Sequence, residues 1–181
     1  MRIISGKLGG RRIQPPTKMP HTRPTTDMAK EGLFNILNNK INFEDLICLD
    51  LFGGTGSITY ELASRGASNV TVVEKDSAMY EFIKKNIALF NIDNCKLTKQ
   101  EVFSFLETCT YTYDFIFAGP PYALGSIDLL PEIIFKKKLL NPNGMFVLEH
   151  TPRNNYEAFK GFQFQRNYGT TVFSFFLNDE K

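Results

Sequence analysis

Apolar positions recur along this chain with a period that switches repeatedly between two and 3.6 residues, and the switching itself predicts an architecture. From 46 to 51 the chain is almost continuously apolar, which reads as a strand buried on both faces. Helical spacing follows over 57 to 65 and closes at Gly66. The same alternation then repeats, with strands over 69 to 74, 95 to 98, 114 to 118 and 145 to 150 and helices over 77 to 89, 102 to 108 and 127 to 139. Upstream, Thr25 and Thr26 can cap a helix in which Met28, Leu33, Phe34, Ile36 and Leu37 fall at helical spacings, ending near Asn38 and Asn39. Strand-helix alternation implies parallel strands joined by right-handed crossovers and covered on both faces, an α/β fold. The last two strand-like segments, 162 to 166 and 170 to 177, flank Tyr168 and Gly169 with no room for a crossover helix. An antiparallel pair is expected to finish the sheet.

At 181 residues the chain is long enough for one domain with a short appendage. Charge locates the appendage. Arg2, Lys7, Arg11, Arg12, Lys18 and Arg23 all precede Asp27 with no acid among them, so the formal charge of +2 hides a basic arm on a net-negative body. Residues 2 to 5 and 11 to 14 read as two short strands around a glycine-rich turn, ahead of a break at Pro15 and Pro16. The reading is therefore a basic N-terminal hairpin over 1–24 and a domain over 25–181, with a flexible basic tail as the alternative. The phenylalanines near the C-terminus read as core, and the lysines at 84, 85 and 136 to 138 as solvated helix charges.

Composition removes several classes of chemistry. Cys48, Cys95 and Cys109 are widely spaced, with no CxxC pair, and read as reduced, partly buried thiols. With His21 and His150 as the whole histidine content and no GxSxG, metal sites and hydrolytic triads are disfavoured. No apolar run approaches the roughly 18 residues of a membrane span, and the N-terminus does not read as a signal peptide, so a cytoplasmic protein without membrane contact is expected.

The sharpest local signal is Asp50-Leu51-Phe52-Gly53-Gly54-Thr55-Gly56, between the first core strand and a helix. In an open parallel sheet, ligands bind beyond the carboxyl ends of the strands, where this loop lies. An ordinary strand-to-helix turn would also use glycines. GxxxxGK[ST] is absent, and Thr59 stands where a dinucleotide fingerprint needs its third glycine, leaving a nicotinamide enzyme as a weak alternative. The pattern resembles motif I of the S-adenosylmethionine-dependent methyltransferases. That resemblance implies a Rossmann-like seven-stranded fold in which Asp50 holds the cationic methionine end and Phe52, Gly53, Gly54, Thr55 and Gly56 form the cofactor loop. It also implies Glu74 on the ribose hydroxyls, Glu101 on the adenine amino group and Val102 beside the ring.

The fourth strand runs directly into Gly119-Pro120-Pro121-Tyr122, two prolines that fix an extended loop ahead of an aromatic shelf. This resembles the (Asp/Asn)-Pro-Pro-Tyr motif of methyltransferases that act on exocyclic amino groups of adenine or guanine. An amino nitrogen conjugated to a ring is a poor nucleophile. Acceptors on its N–H groups draw it toward tetrahedral geometry, and Tyr122 would stack on the base. Position 119 is Gly, so the side-chain acceptor is missing and the Pro120 carbonyl is left from that pair. Asp27 or Glu149 could substitute, and Gly119→Asp is expected to raise transfer.

Taken in order, the segments 1–6, 9–13, 22–25, 33–37, 49–56, 64–67, 120–122 and 168–171 resemble the bacterial 16S ribosomal RNA guanine-N2 methyltransferases of the RsmD type. The resemblance implies a monomeric enzyme that takes S-adenosylmethionine and ribosomal RNA of the small subunit, with no metal. Arg2, Lys7, Arg11, Arg12 and Arg23 would then contact RNA phosphates. An adenine-N6 DNA methyltransferase is the rival with the same chemistry. A noncatalytic RNA-binding assembly factor is the rival that Gly119 suggests.

Overall fold

The structure, a computed structural model, describes residues 1–19 and 24–179. Seven strands form one sheet: β1 (Ile47–Leu51), β2 (Asn69–Glu74), β3 (Cys95–Lys99), β4 (Tyr113–Ala118), β5 (Leu140–His150), β6 (Phe162–Tyr168) and β7 (Thr171–Leu177). Their order is β3-β2-β1-β4-β5-β7-β6. The first five are parallel, and β7 enters antiparallel between β5 and β6. The helices α1 (Asp27–Asn38), α2 (Ser57–Ser64), α3 (Ser77–Leu89), α4 (Val102–Thr108) and α5 (Leu129–Lys136) cover both faces. The sequence expectation of an α/β sheet ending in an antiparallel pair holds.

Alternate residues of each central strand point to opposite faces and divide the core in two. On one face Cys48, Phe115, Val147 and Phe173 pack with Leu33 of α1, Ile58 of α2 and Ile83 of α3. On the other, Leu49, Ile116 and Phe146 pack with Leu106 of α4 and Ile134 of α5. Strand order reverses between β1 and β4, so their two crossovers leave in opposite directions and open a crevice at the carboxyl ends. Both glycine-bearing motifs of the sequence end there.

The arm is shorter in pairing than its sequence pattern suggests. One antiparallel bridge, Arg2 to Arg12, is flanked by backbone bonds from Ile3 N to Arg11 O (2.9 Å), Gly10 N to Ile3 O (2.8 Å) and Ile13 N to Met1 O (3.0 Å). Two-stranded ribbons are marginal alone, and this one is stabilised by what it packs on. Ile3 and Ile13 are buried in the same core as α1 and α2. The fully buried Glu61 carboxylate of α2 accepts from Ile4 N (2.8 Å) and Ser5 N (3.0 Å). Arg65 donates to the same carboxylate at 2.9 Å, and the buried Lys30 ammonium lies 3.7 Å away.

Further details differ from the sequence reading, among them α5, which spans Leu129–Lys136 against the expected 127 to 139. The capping hydroxyl of α1 belongs to Thr26, which accepts from Ala29 N, while Thr25 turns elsewhere. β5 starts at Leu140, ahead of the expected 145, because the Asn141 to Gly144 turn interrupts the β4–β5 ladder without ending the strand. Asn143 is left-handed there, at φ +60°. Pro and Gly in that turn conceal the first pairing from a pattern based on apolar spacing.

Candidate active site

β1 delivers Asp50 and Leu51 to the mouth of the crevice, and the chain then turns through left-handed residues at Phe52 (φ +65°), Gly54 (φ +56°) and Gly56 (φ +78°). A bulky residue at positive φ is strained, and such strain is retained where the surrounding structure enforces a geometry. A Cβ at Gly53 would come within 2.7 Å of Val72 Cγ1, and one at Gly56 within 2.5 Å of the Tyr60 ring. These two glycines are therefore dictated by the protein's own packing, which the sequence expectation of close ligand approach did not foresee. α2 opens at Gly56 with no side-chain cap, and Ser57 and Ile58 line the crevice there.

Four carboxylates, Asp50, Glu74, Asp76 and Glu149, line the cavity, whose volume is about 980 Å³, large enough for a nucleoside with a sizeable substituent. Asp50 is 1% exposed and accepts from Thr59 Oγ1 at 2.6 Å. Burial pushes its pKa up to about 7; the Thr59 hydrogen bond opposes this, and the Glu74 and Glu149 charges add to it. Thr59, which spoils a dinucleotide fingerprint, thus has its own purpose in orienting Asp50. Glu74 accepts from Gly54 N through one oxygen and from Asp76 N through the other, each at 2.7 Å. Its carboxylate is fixed at the crevice wall with lone pairs to spare for a diol.

Val102 also lines the crevice. Glu101 does not line it and instead caps α4, accepting from Ser104 N at 2.9 Å. Across the cavity lie Gly119, Pro120, Pro121 and Tyr122. The Tyr122 hydroxyl donates to Glu149 Oε1 at 3.1 Å and lies 2.9 Å from Thr171 Oγ1, while Thr25 Oγ1 donates to Glu149 Oε2 at 2.6 Å. Sequence reasoning missed Thr25, Lys75, Asp76 and Phe117 as lining residues. Asp76 carried a signal, since an Asp immediately before a helical pattern is an N-cap at a strand's carboxyl end.

The arm's cations divide. Arg2 is paired with Glu31, beside the first turns of α1. The Lys7 backbone donates to Ser64 O at the end of α2, and the Arg11 guanidinium sits 5.3 Å from the Phe90 ring at the end of α3. Both helices run away from the crevice, so these two contacts lie at the helix ends remote from it. Arg12 is exposed, and Arg23 lies outside the described residues.

The donor set fits a ligand with a cationic end and a ribose. Asp50 and its neighbours favour positive charge, Glu74 suits a diol, and the Ser57 hydroxyl is buried at the crevice with no hydrogen-bond partner among the described residues. Among those residues no group of His, Cys, Asp and Glu has the arrangement to hold a metal. A cation prefers the ionised form of Asp50, which prevails above pH 7. Affinity for S-adenosylmethionine is therefore expected to rise up to tenfold per unit as pH climbs toward 7 and to level off above it. Calorimetry across pH 5.5 to 8.5 measures this, and Asp50→Asn should flatten the profile. Without ligand the sign reverses. A carboxyl whose pKa is raised by folding contributes stability that is present below about pH 4 and is lost as pH rises through about 7.

Comparison with known proteins agrees with this geometry. The family model described as Conserved hypothetical protein 95 matches residues 1–177. The Ribosomal RNA small subunit methyltransferase D of Escherichia coli K12 is 37% identical over 144 residues, 80% of this chain and 68% of that protein. Among solved structures, Escherichia coli yhhF superposes with a TM-score of 0.85 at 26% identity, covering 100% of this chain and 99% of that one. The Thermus thermophilus 16S rRNA N2 guanine methyltransferase RsmC, in complex with AdoMet and guanosine, superposes with a TM-score of 0.68 at 25% identity over 85% of this chain and 44% of its own. The chain belongs to the RsmD family of ribosomal RNA small subunit methyltransferases.

Proposed function

We propose that this protein transfers the methyl group of S-adenosylmethionine to the exocyclic N2 amine of a guanine in 16S ribosomal RNA of the small subunit. One observation carries the reading. A single crevice at the β1–β4 switch point holds the carboxylates Asp50 and Glu74 on one wall and the Pro120-Pro121-Tyr122 loop on the other. The relatives named above supply the substrate class, since one is named for the small-subunit RNA and another is solved with guanosine. When bound, S-adenosylmethionine supplies an electrophilic methyl on a sulfonium.

The chain's own residues do the rest. Glu74 accepts the two ribose hydroxyls, Val102 packs beside the adenine, and Asp50 and Ser57 face the methionine end. Glu101 is assigned to the adenine amine by the family resemblance alone, since it caps α4 and does not line the cavity. The Pro120 carbonyl accepts one N–H of the target amine, and the buried Pro120 holds that acceptor rigid. The Tyr122 ring supports the flipped base while its hydroxyl is tied to Glu149 and Thr171. Arg2, Lys7, Arg11, Arg12 and Arg23 supply positive charge for RNA phosphates. The protein acts as a cytoplasmic monomer on the small-subunit particle, whose shape contributes selectivity.

Labelled methyl transfer to small subunits lacking the modification, naked 16S RNA and DNA in parallel, with nucleoside analysis, tests the proposal. N2-methylguanosine from the particle supports it. N6-methyladenosine from DNA selects the rival enzyme, and cofactor binding without transfer selects the noncatalytic factor.

A further inference from the structure

We infer that Glu149 provides the acceptor for the target amine that position 119 lacks; the inference rests on the methyl-transfer reading above. The β4–β5 register pairs Ala118 with Leu148, so the next residues, Gly119 just past the end of β4 and Glu149 near the end of β5, lie side by side at the strands' carboxyl ends. A Cβ built on Gly119 would lie 3.6 Å from Glu149 Oε2. The carboxylate therefore occupies the space beside the Pro120 loop into which a longer side chain at 119 would project. Glu149 is 4% exposed and lines the crevice. Tyr122 donates to Oε1 and Thr25 to Oε2, so the carboxylate is positioned at the crevice before substrate arrives. Asp27, the other candidate from the sequence, is an exposed residue in the first turn of α1 and does not line the crevice.

The amine donates one N–H to Glu149 and one to the Pro120 carbonyl. Its lone pair forms the new N–C bond as the methyl–sulfur bond breaks with both electrons retained by sulfur. The proton shed by the methylated nitrogen passes to Glu149 and then to water at the open mouth. This arrangement also revises the expected gain from Gly119→Asp. Its Cβ would meet Phe117 Cε1 at 3.0 Å and bring a second carboxylate against Glu149, so the change alone gives no increase.

Three variants test the assignment on small subunits lacking the modification, with cofactor affinity by calorimetry and melting temperature measured alongside. Glu149→Met removes the acceptor at similar length and is expected to lower kcat about 100-fold, leaving KM for the particle and cofactor affinity within threefold. Glu149→Gln retains an acceptor carbonyl and should stay within tenfold of wild type. Adding Gly119→Asp to Glu149→Met restores an acceptor and should recover at least tenfold, a result that a purely structural role cannot give. Activity of Glu149→Met within threefold of wild type, a loss that follows melting temperature or cofactor affinity, or a double variant with no recovery overturns the assignment. A wild-type protein that methylates no guanine overturns the underlying reading instead.

Discussion

Replacing Glu61 with alanine is expected to lower the melting temperature by about 10 °C, the largest stability effect of any single change to the arm's anchorage. Glu61 is fully buried and holds two arm N–H groups, Arg65 and Lys30 at once. Removing one partner of a buried ion pair costs about 3–5 kcal/mol, because the remaining charge is left without compensation. For a domain of this size each kcal/mol is worth roughly 2–4 °C. Burial already lowers the Lys30 pKa, with Glu61 opposing that shift, so the variant lowers it further. A lysine depressed in the folded state makes stability rise with pH, and the deficit of the variant should shrink as pH rises toward the ordinary lysine value of 10.5 and Lys30 sheds its proton. Limited proteolysis should cut the variant first within the arm. A melting shift below 3 °C with an intact arm would show that the apolar contacts of Ile3 and Ile13 suffice.

Glu74→Ala is expected to weaken S-adenosylmethionine binding at least 100-fold. On the proposed reading the variant loses two charge-assisted hydrogen bonds to the ribose, each worth about 1.5–3 kcal/mol, and it leaves Gly54 N and Asp76 N without their acceptor. The loss should be equally large for S-adenosylhomocysteine, which carries the same ribose. Asp50→Asn should instead weaken the sulfonium more than the thioether, because its contribution is electrostatic. Calorimetry of both ligands with both variants separates the two roles, and a Glu74→Ala protein binding within threefold of wild type would remove the ribose from this wall.

The strands and helices were legible in the sequence because each is coded locally. β1, β2 and β4 are short apolar runs, and Asp76 and Thr26 cap helices through neighbours three residues on. The crevice was legible for a related reason, since strand-helix alternation fixes which ends carry the loops. What stayed hidden depends on register between distant strands. Gly119 and Glu149 are 30 positions apart, and only the pairing of Ala118 with Leu148 makes them neighbours. Thr25 was hidden in the same way, reading as a cap by its spacing while its hydroxyl reaches Glu149. The arm's cations read as one basic patch, but Gly6 to Gly10 carries Lys7 away from the crevice and leaves Arg2 beside α1.

A crystal grown with S-adenosylhomocysteine and guanosine addresses the central claim most directly. The account predicts ribose hydroxyls on Glu74 and the thioether sulfur facing the guanine amine, with that amine between the Pro120 carbonyl and Glu149. A fully occupied nucleoside bound outside this crevice, or a guanine whose amine faces away from both acceptors, would contradict it.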